Sequence, residues 1–203
     1  MTRKSLLIIA VALLICAIVP ARSHERLLEG SYFLVVWSYG GIGHLPGASH
    51  TFASFYDGSD LAVGRVAPAT VSWLTETTIF YLFGSHKGRN FSLAQTLSMA
   101  CLSGKRVRAF GPYEITPELY RRGLERIKLL RSGRIAYNGS GLHSRGMNCI
   151  QAAGDLTNSS FYPGPVWGLA ASRSVVRHLS PFFQEGGRIN RKAADMILRH
   201  GCP

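Results

Sequence analysis

Apolar positions divide the chain into a strand-rich first half and a helix-rich second half. Residues 31–39 (SYFLVVWSY) form a β-branched and aromatic run that is typical of a buried strand. Residues 50–56 (HTFASFY) alternate and are followed by Asp57-Gly58, which favours a hairpin turn. Residues 70–74 and 77–83 extend this region. The first half therefore predicts an antiparallel sheet.

Helical periodicity and capping residues dominate after residue 90. Residues 92–102 begin with a Ser cap, and Thr116-Pro117-Glu118 is a strong start for a helix that runs to about Leu130. No linker or internal repeat divides the chain, so the pattern predicts one α+β domain over residues 24–203, an antiparallel sheet packed against helices. Further helices are predicted to begin at Cys149 and to cover residues 170–179 and 190–199.

The first 23 residues have the three-part pattern of a secretory signal peptide. A short basic start (residues 1–4) precedes an apolar run over residues 5–19, and Ala21-Arg22-Ser23 forms a small-x-small cleavage signal. The alternative is an N-terminal membrane anchor, but the run is shorter than the roughly 20 residues that a spanning helix prefers. We therefore expect a protein that is secreted or periplasmic after removal of residues 1–23.

Composition describes a folded and strongly basic chain. An apolar content of 46% excludes a disordered tail, and 23 Lys and Arg against 11 Asp and Glu give a net charge of +12. Three of these cations and no acid lie in residues 1–23, which leaves +9 for the remainder. The other cations cluster around residues 106–134 without interleaved aromatics. With export added, anionic envelope polymers or lipid surfaces are favoured as partners over nucleic acid.

The cysteine count points to one unpaired thiol. Loss of Cys16 with the signal peptide leaves Cys101, Cys149 and Cys202, an odd number in an oxidising compartment. Cys149 follows Asn148, a good N-cap, so it should open a helix whose positive end lowers the pKa of its thiol. The alternative is a small buried residue at a helix start. The spacing of Cys and His residues contains no metal motif, so we expect no metal or cofactor.

His50 is the candidate base for a cysteine nucleophile. Among seven histidines it alone opens an apolar strand, where backbone hydrogen bonds would fix its ring at the edge of the sheet. A nucleophilic Cys needs such a base, held in turn by a third polar group. The alternative is a structural histidine in a strand.

The order of these features resembles the circularly permuted NlpC-type papain-fold cysteine hydrolases, which include the lecithin retinol acyltransferase-like branch. A His-led strand (residues 49–55) is followed by strands, a helix, a Tyr-containing turn (residues 135–138) and Asn148-Cys149-Ile150 at a helix start. The resemblance covers residues 50–156. It implies a permuted papain-like fold with Cys149 as nucleophile, His50 as general base and a polar residue on the next strand, for which Ser72 and Glu76 are both candidates.

This resemblance implies an exported hydrolase or acyltransferase that forms a Cys thioester from an amide or ester bond. Peptides, peptidoglycan and acyl lipids remain open as substrates. If Cys149 is the free thiol, Cys101 and Cys202 become the candidate disulfide. The alternative is a non-enzymatic exported binding module that holds an anionic envelope polymer or lipid surface on its basic face. A secreted basic nuclease has no carboxylate–metal or paired-His motif to support it.

Overall fold

A computed structural model describes residues 28–40, 49–76, 84–140, 146–157, 160–164 and 166–199. The expected signal peptide (residues 1–23), the predicted strand at residues 77–83 and Cys202 lie outside these ranges. Within them, no helix has both the length and the apolar character needed to cross a membrane.

The described strands form two four-stranded sheets. The first has the order β3-β2-β1-β6 and is antiparallel throughout, and the second has the order β4-β5-β7-β8, with only its β7–β8 pair parallel. The predicted α+β class with antiparallel sheets is confirmed. The strands are β1 (Tyr32–Gly40), β2 (His50–Asp57), β3 (Ala69–Val71), β4 (Trp73–Thr75), β5 (His86–Asn90), β6 (Arg106–Ile115), β7 (Ala136–Tyr137) and β8 (Gly146–Met147).

The helices begin where the sequence supplies a cap. Ser92 and Asn148 each form a capping box with a Gln three residues later, and the Thr116 side chain accepts the N–H of Leu119. The helices are α1 (Gly58–Ala62), α2 (Leu93–Leu102), α3 (Pro117–Arg131), α4 (Cys149–Gly154), α5 (Gly168–Leu179) and α6 (Arg191–Ile197).

The first sheet is buried on both faces, which explains why its central strand is a continuous apolar run. Leu34 and Val36 of β1 belong to the core that includes residues of α3, α4 and α5. Phe33, Val35 and Trp37 belong to a second core with residues of α2 and α6. Helices α4 and α5 both pack on β2, so the start of that strand lies under two helices.

One sequence expectation about a turn is wrong, and one strand was not predicted. Asp57-Gly58 does not form a hairpin turn: the Asp57 carboxylate accepts the N–H of Ser59 at 2.8 Å and caps α1. The ten-residue strand β6 was not expected, because Arg106 and Arg108 interrupt its apolar pattern. Both arginines are exposed, and β6 forms the edge of the first sheet.

Gly123 lets α3 approach the sheet closely. A Cβ at this position would lie 2.7–2.8 Å from ring atoms of Phe55, whereas the next residue, Leu124, is 37% exposed. We expect Gly123→Ala to lower the free energy of unfolding by about 1–2 kcal/mol, because overpacking outweighs the better helix propensity of Ala. Urea denaturation measures this. Lys128→Ala on the exposed face is the control, and a Gly123→Ala variant as stable as wild type would contradict the packing argument.

Candidate active site

His50 lies at the first position of β2, opposite Tyr39 of β1. Its side chain is buried between aromatic rings, with the Phe52 ring stacked at 5.2 Å and the Tyr39 ring tilted at the same distance. Nε2 forms a hydrogen bond with Ser72 Oγ at 2.9 Å. Nδ1 is buried and has no hydrogen-bond partner among the described residues. The ring is therefore held at one nitrogen and free at the other.

Ser72 is the residue that holds His50. It is fully buried and is the single residue between β3 of the first sheet and β4 of the second. Its backbone N–H donates to Asn90 Oδ1 at 2.8 Å, and its carbonyl accepts the N–H of Phe91 at 2.9 Å. Of the two candidates from the sequence, Ser72 contacts His50, whereas Glu76 forms an ion pair with Lys87 at 2.8 Å.

Cys149 is the first residue of α4 and is 7% exposed. The backbone N–H groups of Thr51, Cys149 and Ile150 donate hydrogen bonds to its sulfur, which favours the thiolate. The Thr51 N–H belongs to the peptide bond that follows His50, so α4 brings the thiol to the backbone of the candidate base. No hydrogen bond joins the thiol to Nδ1 of His50.

The electrostatics correct one expectation about the thiol. Burial raises the pKa of Cys149 to about 11 and outweighs the three backbone N–H groups, which lower it. The expectation of a lowered pKa is therefore wrong, because α4 has only six residues and its start is buried. Burial, and then the charge of Lys105, lowers the pKa of His50 to about 3. At neutral pH the two groups are a neutral thiol and a neutral imidazole.

Two tyrosines interact electrostatically with the thiol: Tyr137, from the Tyr-containing turn of the resemblance, and Tyr39, which the sequence did not single out. Burial, and then interaction with Cys149, raises the pKa of both Tyr39 and Tyr137. The ammonium of Lys105 lies over the Tyr39 ring at 5.2 Å. Tyr39 is brought opposite His50 by the β1–β2 register, which the sequence does not specify, and Tyr137 lies in the two-residue strand β7.

The cysteines divide as the sequence suggested for the described part of the chain. Cys149 is a free thiol and Cys101, near the end of α2, is disulfide-bonded. Cys202, the expected partner of Cys101, lies outside the described residues. The one thiol described as free is thus the one at the candidate site.

The basic face of α3 is largely neutralised by ion pairs. Arg121 pairs with Glu125, Arg122 with Glu118 and Arg126 with Asp155. These side chains border a pocket of about 380 Å³ at the end of α4 away from Cys149; it is lined by Arg121, Arg122, Glu125, Arg126, Leu129, Asp155, Leu156 and Thr157.

Glu114, the acidic residue of β6, lies away from the candidate site. It accepts a hydrogen bond from Ser31 at 2.9 Å and pairs in register with Phe33, at the opposite end of β1 from Tyr39. In the described part of the chain, no group of three or more His, Cys, Asp or Glu residues is arranged to hold a metal ion.

These observations define an α+β protein in which a buried thiol contacts the backbone next to a buried, singly held histidine, whose ring packs against residues of the second core while the thiol belongs to the first. Comparisons with protein-family models, curated proteins and solved structures find no significant match to this chain.

Proposed function

We propose that this chain is an exported cysteine hydrolase or acyltransferase, with Cys149 as nucleophile and His50 as general base. The observation that carries the proposal is the position of the thiol against the His50–Thr51 peptide, while Nδ1 of His50 is buried without a partner. Buried polar atoms without a hydrogen-bond partner are rare in folded proteins, so the unpartnered Nδ1 calls for an explanation. The proposed permuted papain-like arrangement, in which His precedes Cys, gives it one.

The chemistry follows from the two neutral groups. The thiol proton moves to Nδ1 of His50 as Sγ attacks the carbonyl carbon, and the carbonyl electron pair moves onto oxygen. In the proposed mechanism the backbone N–H of Cys149, at the start of α4, donates a hydrogen bond to this oxyanion. When the C–O or C–N bond breaks, the leaving atom takes the proton from His50 and a thioester remains. Water or another acceptor then attacks the thioester, and the thiol is restored.

The neutral resting state makes the base necessary. With a pKa of about 11, the thiol forms almost no thiolate by itself at neutral pH. Attack must therefore be coupled to proton transfer. Hydrogen bonds of this kind are often long in a free enzyme and shorten when substrate binds. The thiol contacts the backbone N–H of Thr51 and forms no hydrogen bond to Nδ1, so the proposed proton transfer requires the ring and the thiol to come together when substrate binds.

Charge near the site favours acyl substrates that carry negative groups. Arg106 and Arg108 are exposed on β6 and pair in register with Gly40 and Ser38, next to Tyr39. Lys105 lies over the Tyr39 ring. These cations would attract an acyl lipid, a peptide carboxylate or an anionic envelope polymer. The alternative, a binding module that uses the basic face of α3, is weakened by the ion pairs on that face.

Acylation of Cys149 tests the proposal. We expect 4-nitrophenyl acetate or 4-nitrophenyl dodecanoate to release nitrophenol and to leave an acyl group on the peptide that contains Cys149. Intact-mass and peptide mass spectrometry should show this adduct, and hydroxylamine should remove it. Cys149→Ala should lose the adduct and at least about 10²-fold of the rate, whereas Arg131→Ala on exposed α3 should keep both.

Equal nitrophenol release by wild type and Cys149→Ala, with no adduct on Cys149, would refute the proposed enzyme. Binding of the intact protein to anionic vesicles would then favour the binding module.

A further inference from the structure

One arginine of α3 contacts the chain on both sides of the helix that begins with Cys149. Arg126 Nη1 donates to Met147 Sδ at 3.6 Å, just before the Asn148 cap of α4. Its Nη2 donates to the backbone carbonyl of Asp155, the residue that follows α4, and pairs with the Asp155 carboxylate at 3.1 Å. A single guanidinium therefore brackets α4.

Burial sets Arg126 apart from its neighbour Arg121 on the same helix. The Arg126 side chain is 13% exposed, whereas the Arg121 side chain is 60% exposed. Arg can bracket two groups because its planar guanidinium presents five N–H donors in a fixed geometry. Loss of a buried, charge-assisted contact leaves its partners without hydrogen bonds, which costs more than the loss of a surface ion pair. The contacts of Arg126 are thus strong enough to hold a short element in place.

Helix α4 depends on such outside contacts. It has six residues, well below the length at which a helix is stable by itself. Carbonyl groups at the end of a helix lack partners within it, and here Arg126 donates to Asp155 while Arg122 Nη1 donates to the carbonyl of Leu156 at 3.2 Å. At the other end of α4, the thiol accepts the backbone N–H of Thr51. The helix is therefore tied to β2 by its thiol and to α3 by two arginines.

We propose that Arg126 is a positioning residue that holds α4 on both sides and so keeps the Cys149 thiol against β2 and closed to solvent. Without Arg126, the residue before the cap of α4 and the residue after its end lose their shared tie to α3. Helix α3 itself packs on β3 and β5, so its own place does not require this contact. The thiol, which is 7% exposed, should then open to solvent while the rest of the fold persists. This positioning rests on contacts alone, and its catalytic consequence rests on the proposed function.

Alkylation of Cys149 by iodoacetamide tests the proposal without any substrate. Mass spectrometry of the peptide that contains Cys149 measures the rate at several low urea concentrations. We expect Arg126→Gln to label at least about tenfold faster than wild type. Its rate should not rise with urea, because a local opening of α4 exposes little surface. Arg126→Lys keeps a charge for Asp155 but cannot bracket α4, so its rate should lie between the two.

Gly123→Ala is the matched control, since it lies on the same helix and acts on global stability through Phe55. Its labelling should pass through global unfolding, so it should be slower than that of Arg126→Gln and should rise steeply with urea. An Arg126→Gln rate equal to that of wild type, or one that rises as steeply with urea as the Gly123→Ala rate, would overturn the proposal. If Arg126→Gln does not fold, Arg126→Lys decides, and labelling of this variant no faster than wild type would overturn the proposal.

The same proteins separate this inference from the proposed function. Acylation by 4-nitrophenyl acetate needs a positioned thiol if the proposed function is right, so the ratio of acylation to alkylation should fall in Arg126→Gln. An unchanged ratio would contradict the catalytic consequence. If alkylation rises as expected but neither wild type nor Arg126→Gln acylates Cys149, the positioning role stands and the proposed function fails.

Discussion

His50→Gln should slow the acylation of Cys149 by about 10²–10⁴-fold, the range that a positioned general base contributes. Gln can still donate its amide N–H to Ser72, so the buried contact at 2.9 Å is replaced, but it offers no basic nitrogen to the thiol. The measurement is single-turnover release of nitrophenol from 4-nitrophenyl acetate at pH 7. The matched control is His178→Gln, since His178 stacks on Phe161 and bonds to Thr157 away from the thiol.

The pH dependence of the same variant adds a second measure. Without an internal base, attack requires thiolate formed by solvent, so the His50→Gln rate should rise about tenfold per pH unit toward the Cys149 pKa of about 11. The wild-type rate should depend much less on pH between 7 and 9. A His50→Gln variant that acylates as fast as wild type at pH 7 would show that His50 is not the base.

Acid should destabilise the protein through the same histidine. Burial lowers the pKa of His50 from 6.5 to about 3, so below pH 6.5 the unfolded chain binds a proton that the folded chain excludes. The free energy of unfolding therefore falls as pH drops from 6.5 toward 3. Between pH 6.5 and pH 5 the His50 contribution should fall by about 2 kcal/mol.

Urea denaturation of wild type and His50→Gln at pH 7.5, 6.5, 5.5 and 5 isolates this contribution. We expect the difference between their unfolding free energies to change by about 2 kcal/mol over that range, because the carboxylates titrate equally in both proteins. His178→Gln should keep a slope close to that of wild type, since His178 is only partly buried. Parallel pH profiles for wild type and His50→Gln would mean that His50 takes up its proton in the folded state.

The sequence was most informative where local rules decide structure. The starts of α2, α3 and α4 follow from Ser92, Thr116 and Asn148, because a cap needs only residues within one turn. The start of β2 at His50 follows from a short apolar run. Both proposed catalytic residues lie at such starts, so their placement on elements could be predicted.

The partners of these residues could not be predicted, because they depend on which strands pair and how the helices pack. Ser72 and Glu76 were equivalent in the sequence, and only the junction of two sheets places Ser72 against His50. Thr96 lies 24 residues from Ser72 along the chain and meets it through the packing of α2. The raised pKa of Cys149 depends on burial, which a helix start alone does not determine.

The single residue between β3 and β4 sets a length requirement on the chain. Ser72 joins two sheets with no spare residue on either side, and successive side chains of an extended backbone point in opposite directions. One inserted or deleted residue between Val71 and Trp73 would turn the next side chain away from His50, whatever its chemistry. Hydroxyl-bearing substitutions at this position are therefore compatible with the site, whereas changes in its spacing are not.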